Sequence, residues 1–106
     1  MKLIAEGDLK ELLTTGQNRK YRSIANNKIL FNGLKRAVKY MMAAESVEDL
    51  KLASFLHYEK LKYSYSGYSS VRLSNSYVHR LIFEEKEDRI TLKLIEIDET
   101  HYGNKK

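Results

Sequence analysis

Hydrophobic residues recur at two different spacings along this chain, and the spacing changes near its middle. Leu30, Leu34, Ala37, Val38 and Met41 fall three or four residues apart and form one apolar stripe. That stripe predicts a helix from about Ile24 or Asn27 to about Ala44. Lys28, Lys35, Arg36 and Lys39 fall mostly off it, and Gly33 weakens the helix locally. A shorter helix is predicted earlier, buried through Leu9, Leu12 and Leu13, stopped by Gly16, with Asp8-Leu9-Lys10-Glu11 as a capping box. Ser46-Val47-Glu48-Asp49 is a second cap, opening a short helix through Leu52. After about Leu56 the period becomes two. Val71 and Leu73 alternate with Ser70 and Arg72, and segments 77–83 and 90–97 are rich in β-branched and aromatic residues. Ser74-Asn75-Ser76 and Lys86-Glu87-Asp88 are turn chemistry between them. Segments 1–6 and 56–63 are candidate short strands. Helices followed by a run of strands predict an α+β layer, with the helices on one face of a mainly antiparallel sheet of about four strands.

Composition narrows the possibilities. A length of 106 residues suits one domain spanning 1–106, and 42% apolar residues suffice for one modest core. The absence of cysteine excludes disulfides, thiol catalysis and thiolate metal sites. No apolar run approaches a membrane span, and the first residues turn charged too soon for a signal peptide, so a cytoplasmic protein that binds no membrane is expected. The net charge of +5 is unevenly spread. Residues 12–44 hold no acid but carry Arg19, Lys20, Arg22, Lys28, Lys35, Arg36 and Lys39, whereas residues 84–99 hold seven acids against three bases. A one-sided basic field favours a polyanion such as RNA, and a merely solvated helix face is the alternative.

Specific residues add a resemblance. Leu9-Lys10-Glu11-Leu12-Leu13-Thr14-Thr15-Gly16 followed by Arg19-Lys20-Tyr21 resembles the opening of HigB-type toxins of the RelE/ParE superfamily. Leu34-Lys35-Arg36 and Met41-Met42-Ala43-Ala44-Glu45-Ser46-Val47-Glu48-Asp49-Leu50 resemble that family's long helix and the stretch after it. His57-Tyr58-Glu59-Lys60-Leu61-Lys62, Tyr68-Ser69-Ser70-Val71-Arg72-Leu73, His79-Arg80-Leu81-Ile82-Phe83 and Ile95-Glu96-Ile97 resemble its later strands in the same order. The ending His101-Tyr102 resembles the YoeB branch. Tyr63 and Thr100 replace a Gly and a Tyr usual in the family. The resemblance implies a RelE-like α+β fold. It also implies a toxin that cuts mRNA at the ribosome without a metal or other cofactor, neutralised by a cognate antitoxin, here a small helix-turn-helix protein of HigA type.

Metal-free RNA cleavage needs a base for the 2′-OH, an acid for the leaving oxygen, and a cation for the charge that builds on the phosphate. Arg80 is the candidate cation, because its planar fork matches phosphate oxygens, with a salt bridge to Glu84, Glu85 or Glu96 as the alternative. Lys62, Lys60 and Arg72 are candidate phosphate contacts or solvated strand charges, and a period of two sets Lys60 and Lys62 on one face. His57, His101 and Tyr102 are the acid–base candidates that the resemblance favours. His79 precedes Arg80 and so faces the other side of the sheet. Glu59 and Glu99 are carboxylates that the resemblance offers as alternatives for the base, as a Glu serves in some relatives. Arg19, Lys20, Lys35, Arg36 and Lys39 are the candidate RNA contacts of the helical half, and no metal ligand set is visible. Two alternatives stand beside this reading: a ParE-like toxin of DNA gyrase, and an inactive module that only binds an antitoxin.

Overall fold

A computed structural model describes residues 1–62 and 66–97 of the chain. Its elements are β1 (Lys2–Ile4), α1 (Gly7–Thr15), α2 (Arg22–Ala25), α3 (Lys28–Ala43), α4 (Val47–Leu52), a 3-10 turn (Ser54–Leu56), β2 (Glu59–Lys60), β3 (Tyr68–Arg72), β4 (His79–Glu85) and β5 (Arg89–Ile97). The sheet runs β1-β5-β4-β3-β2, with β1 parallel to β5 and the remaining neighbours antiparallel. The architecture is the expected α+β layer, with five strands instead of about four. No described helix is long and apolar enough to cross a membrane.

The helices cover one face of the sheet. Leu30, Leu34, Ala37, Val38 and Met41 of α3 share one core with Val71, Leu73, Leu81, Phe83, Ile90, Leu92 and Ile95. Alternation along β4 turns Leu81 and Phe83 toward the helices and Arg80 and Ile82 away from them. Between Ile82 and Phe83 the register with β5 slips, leaving Lys93 as the extra residue between Leu92 and Leu94. Gly33 serves packing more than it harms the helix. A Cβ there would stand 1.9 Å from the Leu73 carbonyl oxygen, so only glycine lets α3 approach the end of β3.

Two local expectations are revised. Asp8 and Glu11 form no capping box, since the N-cap of α1 is Glu6, without a side-chain cap bond. Both carboxylates instead accept from Asn18 Nδ2, at 3.0 and 2.7 Å, while Asn18 Oδ1 accepts from the Tyr21 amide at 2.9 Å. The buried amide is thereby satisfied at both ends, and Tyr21 Oη in turn accepts from the Ile95 amide at 3.2 Å. The loop before α2 is thus tied to both α1 and β5. Further along, the long helix begins at Asn27, whose side chain accepts from the Leu30 amide, and Ile24 belongs to the separate α2.

Candidate functional site

On the face away from the helices, charged residues line up across the strands. The register places Arg72 directly across from Arg80, and Glu96 directly across on Arg80's other side. In the neighbouring row, Glu59 of β2 is opposite Ser70 of β3. Arg80 is 3% exposed. Its Nε donates to Ser70 Oγ at 2.7 Å, its Nη2 donates to the His57 carbonyl at 2.5 Å, and Nη2 lies 3.6 Å from Glu59 Oε1. A guanidinium at this depth requires such ties, because an isolated buried charge costs several kcal/mol. Glu59 of β2 adds a salt bridge that the sequence does not suggest, and Glu96 keeps its place directly across from Arg80 in β5. Glu84 pairs instead with Lys86 at 3.6 Å and Lys93 at 3.9 Å, and Glu85 faces the helix side. Of the two carboxylates offered as base, Glu59 is the one that strand register brings beside Arg80, and Glu99 lies outside the described residues. Glu59 is also the accessible member of the pair, with 36% of its side chain exposed against 4% for Arg80.

His57 reaches this site through its backbone. It closes the 3-10 turn with φ 49°, the left-handed region that non-glycine residues seldom occupy. That conformation turns the chain into β2 and presents the carbonyl that Arg80 holds. The His57 ring points elsewhere, with Nε2 3.0 Å from Asn75 Oδ1 in the turn before β4.

The opposite side of β2 carries a second cluster. Tyr58 Oη and Ser69 Oγ both donate to Glu85 Oε2, and Tyr58 Oη is 3.1 Å from Ser69 Oγ. Lys60 Nζ lies 3.8 Å from the same carboxylate oxygen. Burial, followed by the hydrogen bond to Glu85, pushes the Tyr58 hydroxyl up to about 12, so the phenol keeps its proton. Lys60 therefore belongs to the helix side, away from Arg80. Strand β2 ends at Lys60, and the Leu61 amide still donates to the Tyr68 carbonyl at 2.9 Å just past it. Lys62 is exposed just beyond the strand. His79 faces the helix side, as expected from its place before Arg80. Its ring packs against Tyr77 at 6.0 Å, and burial lowers its pKa. His101 and Tyr102 lie outside the described residues.

The basic stretch forms a separate surface. Lys28, Lys35 and Lys39 are exposed and recur every turn or two along α3, opposite the buried stripe. Lys35 sits 4.9 Å above the Phe31 ring, and Arg36 turns aside onto the Phe55 ring, also at 4.9 Å. Arg19 and Lys20 are exposed in the loop between α1 and α2, with Lys20 5.4 Å from the Tyr21 ring. With the helix layer and the sheet between them, this surface and Arg80 stand on opposite sides of the molecule.

No protein-family model and no curated protein matches the sequence. Solved structures do match. YafQ from E. coli strain BL21(DE3) superposes with a TM-score of 0.60 at 14% identity, covering 96% of this chain and 98% of that one. YoeB in its complex with YefM from Staphylococcus aureus gives 0.58 at 18% identity, covering 91% and 94%. A heterotetrameric YoeB-YefM toxin-antitoxin complex from the same organism gives 0.51 at 18%, covering 87% and 90%. The fold is the one shared by YafQ and YoeB. At these identities the likeness speaks for the architecture, so any activity rests on the residues described above.

Proposed function

We propose that this protein is the toxin of a type II toxin–antitoxin pair, a cytoplasmic endoribonuclease that cuts mRNA on the ribosome by 2′-OH attack. The observation that carries the reading is the Glu59–Arg80 pair: an accessible carboxylate 3.6 Å from a guanidinium, on the sheet face the helices leave uncovered. The fold shared with a YoeB toxin, the HigB-like sequence features and the basic surface support it.

In this mechanism Glu59 takes the proton of the 2′-OH, and the 2′-oxygen attacks the adjacent phosphorus. The bond from phosphorus to the 5′-oxygen breaks. The leaving oxygen takes a proton from an acid, for which His101, Tyr102 and Lys62 are the candidates. Arg80 lies behind Glu59 and offers a fixed cation for the charge that builds on the phosphate. Arg72, one strand over on the same face, extends the positive row toward the RNA backbone. His57 contributes its carbonyl to Arg80 and drops out as an acid–base group, since its ring is turned to Asn75. The basic residues of α3 and of the loop before α2 contact ribosomal RNA through phosphates, by a sequence-independent and salt-dependent attraction. The protein requires no cofactor, and its partner is a small helix-turn-helix antitoxin of HigA type.

The test is primer extension on ribosome-bound mRNA, with EDTA present, together with growth on induced expression. Growth arrest and new 2′,3′-cyclic phosphate ends are expected for the wild type, with both lost in Glu59→Gln. Arrest with intact mRNA and inhibited gyrase supercoiling would move the chain to the ParE class. A folded wild type that leaves growth unaffected would identify an inactive antitoxin-binding module.

A further inference from the structure

Residues 57 to 60 straddle β3 and grip β4 from both faces. The His57 carbonyl and the Glu59 carboxylate engage Arg80 on one face, and Tyr58 and Lys60 engage Glu85 on the other. Neither β4 side chain lies next to β2; each must reach across β3. Ser70 and Ser69, both fully buried, make this possible. Their small side chains leave room for the longer ones, and their hydroxyls bond them on the way, Ser70 to Arg80 and Ser69 to Glu85. Strand β2 needs such anchoring. It is an edge strand of two residues, paired on one side only, and a pair this short is marginal without side-chain support.

We infer that Glu85 is a positioning residue: through Tyr58 and Lys60, the two neighbours of Glu59, and through Ser69, it clamps β2 so that Glu59 is held in line with Arg80. This deepens the proposed function and rests on Glu59 being the base. The clamp works because alternation gives a rigid relation between neighbours. Fixing Tyr58 and Lys60 on one face fixes the direction of Glu59 on the other. Glu85 itself is 15% exposed and touches no group on the Arg80 face that the structure describes, so it acts through β2.

Cleavage kinetics of Tyr58→Phe and Glu85→Gln, alone and combined with Glu59→Gln, test this. Tyr58→Phe removes one hydroxyl and keeps the ring on Phe83, so it keeps the fold even if Glu85→Gln does not. Each variant should lower kcat about tenfold with KM unchanged, the penalty of a slightly misplaced base. In the Glu59→Gln background neither should lower the residual rate further, because the group they position is gone. Independently of activity, the Leu61 amide, which donates to the Tyr68 carbonyl at 2.9 Å, should exchange faster in Tyr58→Phe as β2 loosens. Wild-type kcat in both single variants, with Glu59→Gln inactive, would overturn the clamp while leaving the base in place. An equal fall in the Glu59→Gln background would overturn it too, showing a general structural loss. Full activity in Glu59→Gln would instead remove the reading on which the inference rests.

Discussion

Arg80 and the lysines of α3 carry the same charge under opposite conditions. Arg80 is sealed between strands, with Ser70, the His57 carbonyl and Glu59 all within bonding reach. Lys28, Lys35 and Lys39 lie in solvent, the middle one resting on Phe31. In the buried setting each interaction is strong and irreplaceable, because the effective dielectric is low and any partner left behind stays uncompensated. In the exposed setting each charge is screened and interchangeable, and only the number of charges matters. The difference suits two separate tasks: one fixed cation beside a base, and a diffuse field that holds a polyanion.

Replacing Arg80 should break this contrast most severely. Arg80→Ala takes the donor away from the buried Ser70 hydroxyl and from the His57 carbonyl, and should cost about 1–3 kcal/mol of stability, as leaving a buried acceptor unpaired does. Urea unfolding measures this, and a loss below ~1 kcal/mol would show these acceptors to be open to water. Arg80→Lys tests the site more cleanly. It keeps the charge and loses the planar fork, so the fold should survive in urea while cleavage falls roughly a hundredfold. Cleavage at the wild-type rate would mean that the guanidinium geometry does not matter to the reaction.

The exposed surface should respond in the opposite way. The triple variant Lys28→Ala, Lys35→Ala and Lys39→Ala should stay within about 1.5 kcal/mol of wild-type stability, or ~0.5 per site. Its ribosome binding should weaken, with the slope of log K against log salt reduced by roughly two to three. Sedimentation with ribosomes across a salt series reads this directly, and an unchanged slope would remove α3 from the interface.

The smallest expected effect lies under the helices. Burial lowers the pKa of His79 below its unfolded value of 6.5. Below that value the unfolded chain binds a proton that the folded chain refuses, so stability falls as pH drops and recovers as it rises. Thermal melts at about pH 7.5 and 5.5 should show a drop in Tm of a few degrees that shrinks in His79→Gln. An identical drop in that variant would assign the acid sensitivity to another group.

Periodicity along the chain was enough to determine the two-layer architecture. A helical stripe ending near Ala44 and a period of two after Leu56 each need a partner surface, and the simplest satisfaction of both is helices on one face of a sheet. The charge asymmetry was equally local: residues 12–44 hold no acid in any fold, so a basic surface there follows from the sequence. The candidate site was legible only in part. Arg80 announced itself as a lone charge on an apolar strand, but its partner did not, because Glu59 is 21 positions away and no spacing rule links them. Register decided that, together with β3 standing between them and offering serines small enough to reach past. Register also separated Lys60 from Arg80, by pairing it with Ser69 on the face where Glu85 lies. The need for glycine at position 33 came from a neighbour 40 residues later, the Leu73 carbonyl. Local pattern determines which face of an element is apolar, since that depends on residues three, four or two apart. Which polar side chains meet depends on how strands align across the sheet, and that is settled only when the whole core packs.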